Sequence, residues 1–240
     1  MAAAAGFVPD PWQTRALTST AQTLMLNCGR QVGKSTITAM LIAQTLLKPD
    51  AMVVIVSPSE RQSKELLRKV LAFWRRIGRP VPAVAVTKTS MELTNGARLE
   101  AFPASSDTVR GISAVDLLVA DEASVVPDTL YHSMAPMLAV SGGRQANLST
   151  PKGKRGWWYD LWVMPEADDP DIERIEVPSS ACPRITAEFL ARERRRIGAW
   201  WYEQEYECKF QEAQTAAFRT DDISLAFAGE VDFDMDLFAA

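Results

Sequence analysis

The feature that most constrains this chain is the stretch Asn27-Cys28-Gly29-Arg30-Gln31-Val32-Gly33-Lys34-Ser35-Thr36, set between an apolar run at residues 23–26 and a helical rhythm over residues 34–47. A strand that empties into a glycine-bearing loop and then a helix points a set of backbone N–H groups at one anion. The loop nearly satisfies G-x-x-x-x-G-K-[ST], with Cys28 where the first glycine would stand. In such a loop the backbone from Gly29 through Arg30, Gln31 and Val32 wraps a β-phosphate, and Gly33 permits close approach. Lys34 reaches the β- and γ-phosphates, Ser35 ligates Mg2+, and Thr36 continues the first helical turn beside them. The plain alternative is a basic surface loop ahead of a helix; the preceding strand and following helix weigh against it.

The rest of the chain alternates strand and helix signals. A short helix is expected over residues 12–22 after Asp10-Pro11. Residues 51–56 (AMVVIV) form a β-branched run suited to a buried parallel strand. An amphipathic basic helix follows over 60–77. Residues 90–102 alternate apolar and polar positions around Asn95-Gly96, a hairpin signal in which both turn residues are expected at positive φ. Further strands are expected at 117–120, 145–149 and 172–177, and helices at 187–196 and 199–210. This pattern predicts an α/β fold, a mostly parallel central sheet with helices on both faces, plus an inserted β-hairpin and a small helical C-terminal subdomain. The expected division is a core over residues 1–180, a helical lid or linker over 181–227, and an acidic tail over 228–240.

A nucleotide hydrolase needs a carboxylate for Mg2+ and a base for the attacking water. Leu117-Leu118-Val119-Ala120-Asp121-Glu122 offers both at the end of a buried strand, Asp121 as metal ligand and Glu122 as base. Alone this pattern equally marks a solvated strand end; following the phosphate loop in this order it becomes specific. Arg110 is a candidate for bridging phosphate oxygens from a neighbouring subunit, with a surface ion pair as the alternative, and Arg30 is its rival in cis. Ser149-Thr150 ends the fourth strand beside the loop, where a hydroxyl would sense the γ-phosphate or simply begin a turn. Gln13 and Trp12 would hold adenine or, as plainly, be a capping amide and a buried ring.

Composition excludes several other chemistries. The net charge of −4 gives no global signal for nucleic acid, so DNA contact would fall to local clusters. Of these, Lys152, Lys154 and Arg155 are the best placed. Those around Lys64–Arg79 and Arg192–Arg196 read as solvated helix faces. Three scattered cysteines without a CxxC pair suit a reducing cytosol. A single histidine, His132, excludes multi-histidine metal sites. No run is long and apolar enough for a membrane span, and the N-terminus lacks signal-peptide features.

The ordered set PWQ, CGRQVGKST, IVSPSERQS, NGARLEAFPASSDTVRG, LLVADEAS and LSTPKGKRGWWYDLW, with WWYEQEYECKF further on, resembles the ATPase domain of tailed-phage large terminase subunits. The resemblance covers residues 8–220. It implies a P-loop NTPase of the class with an extra strand and an adjacent catalytic glutamate. Lys34 and Ser35 would be on phosphate and Mg2+, and Asp121 and Glu122 would be metal ligand and base. Ser149-Thr150 would be the coupling motif, Arg110 the trans finger and Gln13 the adenine reader. It further implies ATP as substrate and packaging of viral double-stranded DNA into a prohead in the cytoplasm of an infected bacterium. The motor would be a ring on the portal protein with a small terminase subunit as partner; a monomer in solution is left open. Large terminases continue into a nuclease domain that these residues cannot form, so ATPase without DNA cleavage is expected. The competing readings are a helicase-like DNA-dependent ATPase and a portal-docking subunit that binds nucleotide with little turnover.

Overall fold

The computed structural model describes residues 5–104 and 111–212. Eight strands form one sheet in the order β3-β4-β5-β2-β6-β7-β1-β8. The central strands are β1 (Thr23–Cys28), β2 (Met52–Ser57), β6 (Leu117–Asp121), β7 (Arg144–Ser149) and β8 (Ile172–Val177). They pair in parallel, with Asn27 beside Ser149 and Cys28 beside Val177. Parallel strands need crossovers, and after α1 (Pro11–Thr18), which precedes β1, the chain supplies them with helices: α2 (Lys34–Leu46), α3 (Glu60–Arg76), α4 (Asp128–Met134) and α5 (Gly156–Val163).

Alternation along the strands sorts the core into two layers. Leu24, Leu26, Cys28, Val53, Ile55 and Val119 join the cluster with α2 and α3, whereas Met25, Val54, Val56, Leu118 and Ala120 join the cluster with α4 and α5. Both faces of the sheet are therefore covered, which is why β2 reads as an unbroken apolar run and is buried at every position. By the same parity Asp121, two residues beyond Val119, belongs to the α2–α3 face.

The inserted hairpin is larger than the sequence signals. Strands β3 (Ala83–Val86), β4 (Ser90–Leu93) and β5 (Arg98–Pro103) form an antiparallel meander joined to the sheet by β5, which runs parallel to β2. β3 was not expected; it is a fully exposed edge strand of alternating Ala and Val. At the Asn95-Gly96 turn only Gly96 takes positive φ, at 82°. The expectation of two such residues is corrected by the side chain of Asn95, which accepts from the Ala97 N–H at 3.2 Å and donates to the Leu46 carbonyl at 3.1 Å. This is a turn closed by a glycine bulge, the next commonest hairpin solution.

Helix α1 ends at Thr18, short of the expected residue 22. The two expected C-terminal helices are present, taken together as α6 (Ala187–Glu207) and separated by a kink at Gly198 with φ 80° and ψ 161°. Among the described residues no helix is long and apolar enough to cross a membrane.

Candidate nucleotide site

The loop after β1 turns without its first glycine because Cys28 still belongs to the strand, buried and paired with Val177. Burial pushes the Cys28 thiol well above its ordinary range, with Lys34 opposing. Gly29 is required by space: a Cβ there would stand 2.7 Å from the Tyr206 carbonyl and 2.8 Å from the Ser179 backbone nitrogen. The reversal itself is made by Gln31 and Gly33, at φ 63° and 107°. Gly33 begins α2, its carbonyl accepting from Thr36 N–H at 3.0 Å. Left-handed residues within such a loop turn successive N–H groups toward one concavity, and the helix start adds its partial positive charge.

Around this loop lies a cavity of about 900 Å3. Its walls include all of Arg30 to Thr36, with Glu122, Thr150 and Lys69 opposite. Lys34 Nζ is 3.8 Å from Glu122 Oε1 and 3.4 Å from the Cys28 carbonyl. Glu122 follows β6 in the left-handed region, φ 51° and ψ 48°, a conformation that costs a non-glycine residue of order 1–3 kcal/mol. That turn takes its carboxylate off the strand alternation and toward Lys34. Ser149, fully buried, donates to Glu122 Oε2 at 3.5 Å and lies 2.8 Å from Ser124 Oγ. The Asp121 carboxyl is raised to about 6, chiefly by burial and then by Glu122, with Lys34 and Lys69 opposing.

Other expected residues lie elsewhere. The Arg30 guanidinium points to α6, its Nε 2.6 Å from Glu205 Oε2, while its own N–H donates to the Glu205 carbonyl at 2.9 Å. Gln13 is buried beneath the loop and outside the cavity wall; its Oε1 accepts from the Asp10 N–H at 2.9 Å. A Cβ on Gly33 would stand 3.0 Å from Gln13 Nε2. Trp12 packs against the core. Arg184, unmarked in the sequence, clamps Asp10 with two hydrogen bonds of 3.1 and 2.8 Å and donates to the Val32 carbonyl. Lys152, Lys154 and Arg155 line the cavity, and Lys154 lies 3.0 Å from Glu212. Arg110 and residues 213–240 lie outside the described residues.

Like Arg184, Lys69 and Glu205 were assigned no part in the site by the sequence reading. Lys69, taken as part of a solvated face, donates to Ser35 Oγ at 3.1 Å. Glu205 lies within the WWYEQEYECKF segment but was given no role there. Only the fold brings α3 and α6 to the loop.

The family described as terminase large subunit, T4likevirus-type, N-terminal, matches residues 25–225. The chain belongs to that family. The terminase large subunit of Thermus virus P23-45 is 26% identical over an alignment of 180 positions that covers 66% of this chain and 37% of that protein. The chain thus spans little more than a third of the length of the curated relative. The large terminase ATPase domain of Thermus phage P74-26 superposes with a TM-score of 0.78 at 20% identity, covering 88% of this terminase domain and 97% of that one. A large terminase from a thermophilic bacteriophage, in complex with ADP, gives 0.70 at 11% identity over 83% of this chain and 53% of its own. These superpositions show that the α/β fold of this terminase domain is shared with those proteins.

Proposed function

We propose that this terminase domain binds ATP with Mg2+ at the C-terminal ends of β1 and β6 and hydrolyses it. In the assembled motor this turnover would drive viral double-stranded DNA into a prohead. The observation that supports the reading most is the convergence of Lys34 and the buried Ser149 on the carboxylate of Glu122, a cavity-wall residue, 3.8 Å and 3.5 Å from its two oxygens.

In this reading the N–H groups of residues 29–36 hold the phosphates and Lys34 neutralises the β- and γ-oxygens. Ser35 Oγ and the Asp121 carboxylate fit a magnesium ion. They are hard oxygen donors, and Mg2+ bound with a nucleotide needs only one or two protein ligands. The ion, when bound, supplies charge neutralisation between the phosphates. Glu122 orients the attacking water and takes its proton. Ser149 passes the state of that carboxylate to β7, and Thr150 faces the same cavity. Arg30 and Arg110 are the candidates for the transition-state arginine, the first held by α6 in the structure.

Residues 181–227 would act as a lid, since α6 touches the loop through Glu205. Double-stranded DNA, the portal protein, the small terminase subunit and further copies in a ring are the partners proposed. The experiment is a pair of variants. Lys34→Ala is expected to abolish nucleotide binding. Glu122→Ala is expected to keep binding and lose turnover by about 10²–10⁴-fold, the usual contribution of a general base. Parent-rate hydrolysis by Glu122→Ala would refute the assignment of the base, and failure of the parent to bind nucleotide would refute the whole reading.

A further inference from the structure

Lys69 reaches the site from α3, a helix that carries none of the residues assigned above. Its basic neighbours are satisfied within the helix: Lys64 pairs with Glu60, and Arg68 with Glu65. Glu65 stands four residues before Lys69 and would be its ordinary helical partner. With Glu65 on Arg68, the Lys69 ammonium crosses to α2 and donates to Ser35 Oγ at 3.1 Å. An ammonium has three donors and no acceptor, so this bond engages a lone pair of the hydroxyl oxygen. A divalent cation on Ser35 would have to share that small oxygen with an ammonium charge 3.1 Å away, and the two cations repel. Lys69 also lines the nucleotide cavity, and its charge is felt at Asp121, the other proposed metal donor.

We propose that Lys69 is a tethered cation of this site: without nucleotide it holds Ser35 Oγ against a divalent ion, and with nucleotide its ammonium turns to the terminal phosphate. The inference rests on the nucleotide-site reading above. Its consequence is an order of binding. A bare metal ion meets a hydroxyl oxygen already engaged, with the ammonium charge of Lys69 beside it. A metal ion carried by the nucleotide arrives with phosphate oxygens that give the displaced ammonium a new partner. The long, flexible lysine stem suits such an exchange, because the ammonium can move without any movement of α3. Discrimination between ATP and ADP then falls partly on a residue outside the loop.

The test uses the full chain as parent, Lys69→Met, Lys69→Arg and Arg68→Met, with thermal midpoints compared first. Mn2+ is titrated without nucleotide and free ion read by electron paramagnetic resonance. Lys69→Met is expected to bind Mn2+ about tenfold more tightly than the parent, and Arg68→Met and Lys69→Arg as the parent does. Calorimetry in EDTA then compares ATPγS with ADP. Lys69→Met is expected to lose about tenfold for ATPγS and under about twofold for ADP, the loss of one charged contact to the terminal phosphate. Parent-like Mn2+ affinity in Lys69→Met, or equal losses for the two nucleotides, overturns the inference while leaving the nucleotide site intact. A parent that binds neither nucleotide even with Mg2+ overturns instead the reading beneath it.

Discussion

Cys28 and Gly29 divide a task that one glycine performs in the generic phosphate loop. Cys28 fills the end of β1 with no exposed surface, and Gly29 leaves room for the backbone of Ser179 and Tyr206. Restoring the generic residue therefore brings no benefit. Cys28→Gly is expected to destabilise the fold by about 1–3 kcal/mol, through the lost side chain and added chain freedom, with nucleotide affinity unchanged. Urea unfolding and a binding isotherm check both halves; tighter binding would show that the loop wants a glycine there. Asp121 makes a second residue-scale prediction. Its folded value, about 6, lies above the ordinary 3.8, so the charged form is the one disfavoured in the fold. The stability linked to this group is whole below about 3.8, is lost as pH rises, and is fully lost once pH has passed about 6. Asp121→Asn is expected to stabilise the nucleotide-free protein by about 1–3 kcal/mol at pH 8, with the gain shrinking toward pH 5. A gain independent of pH, in denaturation curves across that range, would remove burial of charge as its cause. At this scale the loop and the Asp121-Glu122 pair were legible because their residue types are the chemistry. Lys69 was not: its spacing in α3 is that of any solvated face, and only the packing of α3 on α2 gives it Ser35.

The elements were legible where their hydrophobic pattern was long or sharply bounded. Strand β8 falls at the expected residues 172–177, and α2 and α3 keep their expected starts. The meander strand β3 was hidden because Ala83–Val86 buries nothing; it exists by hydrogen bonding to β4. Helix α4, seven residues long, is too short to show a period. The break in α6 was legible as the gap between two expected helices, although not as a conformation. Gly198 sits at φ 80° and ψ 161°, a region essentially reserved for glycine, with no atom within 4 Å of a hypothetical Cβ. The constraint there is dihedral and not steric contact. Gly198→Ala is expected to cost about 1–3 kcal/mol or to straighten α6, and straightening would carry Glu205 away from Arg30. Thermal unfolding reads the first effect. Emission from Trp200 and Trp201, two and three residues beyond the break, reads the second. An unchanged midpoint with unchanged emission would mean that Gly198 is not under strain.

At the scale of the whole molecule, the sheet brings the loop, Glu122 and Ser149 together from three strands, and a ring would add what one copy lacks. Arg30, the arginine within the loop, is engaged by Glu205, so one copy directs its loop arginine to its own α6. A stabilising arginine contributes about 10³–10⁵-fold to phosphoryl transfer, so a domain without one at the site turns over slowly until another is supplied. Arg110 is the proposed supplier, acting across a subunit boundary. Arg110→Ala is then expected to lower turnover only at concentrations where subunits assemble, and to leave the slow basal rate alone. Mixing decides between the two arginines. In rings built from Arg110→Ala and Glu122→Ala copies, the first keeps an intact base and the second an intact finger, and about one interface in four pairs them correctly by random mixing. Turnover should return to about that fraction of the parent rate. An Arg30→Ala copy gains nothing from the same partner, because an arginine acting in cis cannot be lent. Recovery with Arg30→Ala and none with Arg110→Ala would reverse the assignment.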